Sequence, residues 1–182
     1  GQMVRIGAAA STPFSMKLEE DWNFDGDNGY YDYRMTFPWI WRLGASVAPG
    51  RWMVAADLEY RDWKSLEFRD STPFSGLTRA EANRQIRDTY KSTTRLSLGG
   101  EYLFPAYGLR GRAGYSMDPS NFKDAGSDAD KGVISLGMGV LIDRSMMLDV
   151  TWRTASYTEN VTDGLTEDIR SSQALFTLSY RM

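Results

Sequence analysis

The chain has 182 residues, a net charge of −3, and neither cysteine nor histidine. These counts exclude a disulfide framework, a thiolate zinc site and every catalytic triad that depends on cysteine or histidine. A slightly acidic chain is also poorly suited to nucleic acid, so we expect no nucleic-acid partner.

Alternation of apolar and polar residues runs through most of the chain and predicts strands with one apolar face. From Trp52 to Tyr60, for example, apolar residues occupy the even positions, whereas Asp57 and Glu59 occupy odd ones. The predicted strands cover, in chain order, residues 3–12, 33–48, 51–68, 90–104, 108–118, 132–142, 146–157 and 170–182.

The connections between these strands alternate in length. Three tight turns are predicted at Pro49–Gly50, Pro105–Gly108 and Asp143–Ser145, because proline and glycine supply the backbone angles that such turns need. Thr78 and Glu81 form a capping-box pattern that predicts a short helix in one of the longer connections. The four long polar connections are residues 13–32, 69–89, 119–131 and 158–169.

Two kinds of protein show this alternation. A soluble sandwich or lipocalin-like barrel turns its apolar face inward, whereas a transmembrane barrel turns it toward lipid. The longest nearly apolar run is residues 132–142, well short of the ~20 residues that a membrane-spanning helix needs. Apolar faces about ten residues long, charged opposite faces and short turns opposite long loops favour the membrane barrel. Aromatic residues near strand ends also favour it, among them Trp39, Trp41, Trp52, Tyr102, Phe104, Tyr115 and Tyr180.

The sequence therefore predicts an all-β protein, an antiparallel transmembrane β-barrel of about eight strands forming one domain over residues 1–182. Short turns would lie on the periplasmic side and long loops outside the cell, with membrane lipid or bound detergent against the apolar face. Phe176, Leu178 and Tyr180 alternate as in the last strand of outer-membrane barrels, although Met182 stands where phenylalanine is usual. We expect a location in the bacterial outer membrane.

Several segments occur in an order and spacing that resemble one family. They include Thr12–Phe14, Pro38–Trp39, Arg42–Gly44, Asp57–Trp63, Leu98–Phe104 and Leu109–Pro119. In these segments the chain resembles the long-chain fatty acid transporter (FadL/TodX) family, notably its Bacteroidetes-type members. The resemblance implies a 14-stranded barrel that admits hydrophobic compounds by passive diffusion past an N-terminal hatch. It also implies that this chain is the C-terminal portion, without the hatch and the first strands.

Two groups of residues are candidates for ligand binding. Arginines on the predicted lumen face suit a fatty-acid carboxylate, and the alternative is a structural ion-pair network. Apolar residues of the connection 13–32 suit a landing groove for a hydrophobic molecule, and the alternative is self-packing of a long loop. The lumen candidates are Arg5, Arg34, Arg42, Arg61, Arg110, Arg112 and Arg153, and the groove candidates are Phe14, Trp22 and Phe24.

Other functions receive less support. Asp25–Gly29 and Asp124–Asp130 have the composition of calcium loops, but the first lacks the closing glutamate, so no metal and no cofactor are expected. No catalytic constellation is present, and we expect no enzyme. A small structural barrel that does not transport, and a soluble lipocalin-like barrel that binds an apolar ligand, remain the alternatives.

Overall fold

The computed structural model describes residues 3–143, 145–162 and 165–180. It contains eleven strands and one α-helix, α1 (Arg79–Thr89), within these residues. Gly1, Arg181 and Met182, and with them the predicted end of the last strand, lie outside the described residues. The strands are β1 (Met3–Ser11), β2 (Ser15–Phe24), β3 (Asp27–Thr36), β4 (Ile40–Ala48), β5 (Trp52–Asp62), β6 (Glu67–Phe68), β7 (Ser92–Phe104), β8 (Leu109–Asp118), β9 (Lys131–Leu141), β10 (Met146–Thr162) and β11 (Leu165–Tyr180).

Eight of these strands form the main sheet, in the order β1-β4-β5-β7-β8-β9-β10-β11. Every neighbouring pair is antiparallel. The prediction of an all-β antiparallel fold of about eight strands is therefore confirmed. Within the described residues, β1 and β11 each pair on one side only.

No helix in the described part of the chain combines the length and the apolar character needed to cross a membrane.

The apolar face of the main sheet points outward and is uncovered. Ile6 is 77% exposed and Phe176 is 74% exposed, and most large apolar side chains of this face are at least 40% exposed. The buried apolar residues of the described chain are Tyr33, Phe68, Ala82 and Ile86 in a separate unit, with only Ala155 in the main sheet. In the part of the chain that the structure describes, this sheet has no inward apolar core of the kind that a soluble barrel requires. Apolar residues on the outer face and charged residues on the inner face are the distribution found in strands whose outer face contacts lipid.

Aromatic side chains lie near both ends of this outward face. Near the short turns, Trp52 packs against Tyr102 with ring centroids 4.5 Å apart, and near the long loops Trp39 stacks on Trp41 at 5.3 Å. The eight-residue interval from Trp52 to Tyr60 on β5 corresponds to ~26 Å along the strand. With the usual strand tilt, this interval is comparable with the apolar band, ~25 Å tall, of outer-membrane proteins.

A second unit, formed by the three-stranded sheet β2-β3-β6 and α1, lies beyond the long-loop end of the main sheet. The prediction that residues 13–32 form a loop is wrong, because β2 and β3 form a hairpin here. Its turn places Asp25 at φ 50° and Gly26 at φ 90°. An Asp-Gly pair with two positive φ values favours a two-residue hairpin turn, so the sequence contained this signal.

The predicted strand 33–48 is also wrong, since the chain changes sheets within it. β3 ends at Thr36 and β4 begins at Ile40. Pro38 lies between them and has no N–H to donate, so it interrupts strand pairing. The predicted strand 51–68 divides in a similar way, because a short 3₁₀ turn at Trp63–Ser65 separates β5 from β6.

The predicted helix is confirmed as α1. The Thr78 hydroxyl accepts a hydrogen bond from the Glu81 backbone N–H, and the Thr78 N–H donates to the Glu81 carboxylate at 2.9 Å. These reciprocal bonds satisfy N–H groups at the helix start. The side chain of Asn83 binds both the N–H and the C=O of Phe68, at 2.7 and 3.0 Å, and so fixes α1 to β6.

The tight turns agree with prediction. Gly50 and Gly108 adopt φ values of 66° and 59°, in the region that favours glycine, and Asp143 accepts hydrogen bonds from the N–H groups of Ser145 and Met146. The predicted long loop 158–169 is wrong, because β10 extends to Thr162 and β11 begins at Leu165. Most residues of 158–169 are polar, and Val161, Leu165 and Ile169 do not alternate with them at every second position, so the sequence pattern of a strand is missing there.

Candidate functional site

The charged face of the main sheet, opposite the apolar face, lines a central cavity of about 850 Å³. The sheet curls, so that Arg5 on β1 and Arg153 on β10 border the same cavity. Between them the wall consists mainly of small residues, including Gly44, Ala55, Ser97, Gly99, Gly114, Ser135 and Gly137. Because these side chains are short, the cavity remains open along the centre of the sheet.

At the long-loop end of this face, three arginines surround one carboxylate. Arg42, Glu59 and Arg95 are direct neighbours across β4, β5 and β7. Glu59 is only 4% exposed and accepts from Arg42 Nε at 2.6 Å, while Arg61 Nη2 and Arg95 Nη2 lie 2.7 and 3.5 Å from its oxygens. We call these four residues the Glu59 cluster. Arg42 also donates to the Ser11 hydroxyl at 3.1 Å.

The Glu59 cluster carries more positive than negative charge. Three guanidinium groups share a single carboxylate, and the Nε atoms of Arg61 and Arg95 are buried without a hydrogen-bond partner among the described residues. Buried donors of this kind are costly unless a partner reaches them. The cluster can therefore accept a further anionic group.

A second cavity, of about 600 Å³, adjoins this cluster and opens toward the long loops. Arg61 lies over the Trp63 ring, 5.4 Å from its centroid, and Trp63 Nε1 donates to the Thr93 hydroxyl at 3.1 Å. Phe122 and Tyr157 add apolar surface to the wall. Cationic and aromatic groups thus meet in one cavity, an arrangement that suits a molecule with an anionic head and an apolar body.

At the short-turn end, a balanced ion-pair network occupies the charged face. Arg112 contacts both Glu101, at 2.7 Å, and Asp149. Arg110 lies 3.4 Å from Glu101. Two arginines face two carboxylates, so the charges of this group balance. The group therefore matches the alternative interpretation of the lumen charges, a structural ion-pair network.

The remaining predicted arginines are distributed differently. Arg5 and Arg153 line the central cavity, and neither has a carboxylate within 4 Å among the described residues. Arg34 does not lie on the main sheet, contrary to prediction. It belongs to β3 of the second unit and lies 3.8 Å from Asp70. The break at Pro38 is the physical reason for this displacement.

The three predicted groove residues do not form one surface. Phe14 stacks on Phe37 at the base of the β2–β3 hairpin, with centroids 4.7 Å apart. Trp22 and Phe24 lie toward the hairpin tip, eight and ten residues further along, or ~26–33 Å of extended chain. Trp22 covers Gly29, where a Cβ would come within 2.5 Å of the indole ring, and Phe24 is 78% exposed.

Glu59 and Arg95 were absent from the predicted site residues although both stand at polar positions of the alternation. Alternation indicates the face on which a residue lies, but the neighbours across strands depend on register. The structure supplies that register and places Glu59 between Arg42 and Arg95.

The main sheet is antiparallel and has an apolar outer face with aromatic residues near both ends. Cavities lined by charged residues lie on its other side. Together these features define an outer-membrane β-strand protein. The profile of the outer membrane protein transport family (OMPP1/FadL/TodX) matches residues 5–181, and the chain belongs to this family. It is a transporter family of the bacterial outer membrane that carries hydrophobic compounds. No curated protein matches the chain.

Proposed function

We propose that the chain contributes eight strands to an outer-membrane barrel that admits hydrophobic compounds by passive diffusion, with long-chain fatty acids as the substrate class. The observation that carries this proposal is the polarity of the main sheet: its apolar face is exposed, and its charged face lines two cavities. Membership of the transport family supports the same conclusion. Nothing in this mechanism requires an enzymatic step.

The open edges of the main sheet support a larger barrel. Within the described residues, β1 and β11 each have one unpaired edge. Unpaired backbone N–H and C=O groups are not tolerated against lipid, because each costs several kcal/mol there. Further strands of the same protein are the simplest partners for both edges.

In this proposal the Glu59 cluster receives the carboxylate of the substrate. Its surplus guanidinium groups are those of Arg61 and Arg95, which border the second cavity and whose Nε atoms have no hydrogen-bond partner among the described residues. Arg42 stays bound to Glu59 and Ser11. Arg5 and Arg153 provide later contacts in the central cavity, whereas Arg110 and Arg112 stay paired with their carboxylates. Trp22 and Phe24 provide an external apolar contact at the hairpin tip.

Uptake into outer-membrane vesicles containing the protein tests this proposal. We expect a radiolabelled long-chain fatty acid to enter without an energy source, faster than into vesicles that lack the protein. The double variant Arg61→Gln/Arg95→Gln should slow this uptake about tenfold, because the charge-assisted contacts to the substrate carboxylate are lost. Uptake of the uncharged alcohol of equal chain length should be unchanged.

Arg51→Gln, in the turn before β5, is the matched control and should leave both rates unchanged. Uptake no faster than into empty vesicles would contradict transport and favour a structural barrel. Equal loss of acid and alcohol uptake in the double variant would contradict the carboxylate site while leaving transport intact.

A further inference from the structure

A group of basic residues lies outside the transport pathway, in the second unit. Between residues 64 and 91 the chain has six basic and four acidic residues, although its overall net charge is −3. Four of the basic residues, Lys64, Arg69, Arg79 and Arg87, border two adjoining cavities of about 270 and 470 Å³ that share Glu67 and Arg87. We call these four residues, with Glu67, the basic cleft.

The fold explains why these side chains converge. Arg79 and Arg87 lie eight residues apart on α1, with Asn83 midway between them, so all three lie near one helix face. Asn83 binds the backbone of Phe68 and thereby holds that face against β6. Arg69 follows β6 directly, and its carbonyl accepts a hydrogen bond from Arg79.

The charges of the basic cleft are incompletely neutralised. Arg69 pairs with Glu67 at 3.0 Å, and Lys64 lies 3.9 Å from Asp62. Arg79 and Arg87 have no carboxylate within 4 Å in the described part of the chain. Both are exposed. Two guanidinium groups are therefore available to an anion, and this geometry suits the oxygens of a phosphate.

The position of the cleft indicates where such a phosphate would come from. Tyr60 is the last outward-facing aromatic residue of β5, and Asp62 follows it by two residues, or ~7 Å along the strand. Asp62 borders the same cavity as Lys64 and Arg87. The polar headgroup layer of a bilayer extends roughly 5–8 Å beyond the hydrocarbon core on each side. The basic cleft thus begins at the depth of the outer-leaflet headgroups.

We propose that the basic cleft binds the phosphorylated headgroup of an outer-leaflet lipid and thereby holds the second unit against the membrane surface. Arg79 and Arg87 are separated by ~12 Å along the helix axis, so they contact opposite ends of the headgroup. Arg69 and Lys64 add positive charge between and beside them.

Lipid binding to the purified full chain in mixed micelles tests the proposal, with retained lipid counted by native mass spectrometry. The probes are a bis-phosphorylated glycolipid, the same glycolipid without phosphate, and inorganic phosphate. We expect retention of the phosphorylated glycolipid alone. Arg79→Gln/Arg87→Gln should weaken this retention at least about tenfold, because two charge-assisted contacts are removed.

Arg84→Gln is the matched control, because Arg84 is exposed on α1 but does not line either cavity. It should change retention less than twofold. Since Arg79 also binds the Arg69 carbonyl, Arg87→Gln alone should weaken retention about threefold or more while hydrogen exchange in α1 stays unchanged. Equal losses in Arg84→Gln and the double variant would overturn the proposal. Retention of both glycolipids, or binding of inorganic phosphate without lipid preference, would overturn it as well.

Discussion

Replacing Glu59 by glutamine tests how much the ion pairs of the charged face stabilise the main sheet. The carboxylate accepts two short contacts, at 2.6 and 2.7 Å, and a longer one at 3.5 Å. Glu59→Gln removes the negative charge and leaves Arg42, Arg61 and Arg95 next to one another. The sheet is then expected to lose stability near β4, β5 and β7, the strands that this carboxylate connects.

The magnitude follows from the contacts and their exposure. A hydrogen bond to a charged group contributes roughly 1.5–3 kcal/mol. The three arginines are 30–37% exposed, so water compensates part of the loss. Glutamine also keeps one acceptor oxygen. We therefore expect Glu59→Gln to lower the free energy of unfolding by about 2–3 kcal/mol, within the range of buried ion-pair losses after this discount.

Urea unfolding of the protein in lipid vesicles, followed by tryptophan fluorescence, measures this change. Asp57→Asn is the matched control, since Asp57 lies two residues away on the same face and has no cation within 4 Å among the described residues. It should change the free energy of unfolding by less than about 0.5 kcal/mol. If both variants unfold at the same urea concentration, the argument that Glu59 connects these strands is refuted.

Three further predictions concern the second unit. Gly29→Ala should displace the Trp22 ring, because the new methyl group would overlap it, and should destabilise the hairpin by about 1–2 kcal/mol, measured by tryptophan emission and unfolding. Asn83→Ala should leave two backbone groups of β6 unsatisfied and speed hydrogen exchange of α1 by about 10–100-fold. Hydrogen bonds from Thr78 lower the pKa of Glu81 below its ordinary value of 4.5. The stabilisation of α1 by this cap is therefore complete above pH 4.5 and is lost as the pH falls through the lowered pKa of Glu81. The helical circular dichroism signal of α1 should weaken over that acidic range. Glu81→Gln should abolish this pH dependence.

The strands of the main sheet were predictable because lipid and lumen impose opposite demands on successive residues. On β5, the run from Trp52 to Tyr60 keeps its period over the whole crossing, so its face and length could be assigned from sequence. α1 was predictable for a local reason, the capping box of Thr78 and Glu81.

The second unit was predicted less well because its patterns are short and mixed. Glu20 interrupts the apolar face of β2, where it accepts a hydrogen bond from the Tyr33 hydroxyl at 2.6 Å. That bond raises the pKa of Tyr33. Arg34 matched the alternation of the following strand, and only the pairing of β3 with β2 and β6 shows that it belongs to another sheet.

The sequence predicted the residue types of the candidate site and the face on which they lie, but not which of them are neighbours. Alternation placed Arg42, Arg61 and Arg112 on the charged face, yet register decides which of them carry surplus charge. Arg112 is neutralised by Glu101 and Asp149, whereas Arg42 and Arg61 share Glu59 with a third arginine. Sequence distance contains no information about these neighbours across strands.

The central claim is that the apolar face of the main sheet meets lipid and the charged face meets water. Because the chain has no cysteine, single cysteines can be introduced at Ser97 and Leu98, adjacent residues of β7 on opposite faces, and labelled with a fluorophore. In vesicles we expect brominated lipid chains to quench the label at position 98 and aqueous iodide to quench the label at position 97. Absence of lipid quenching at position 98, or the reverse pattern, would contradict the orientation of the main sheet.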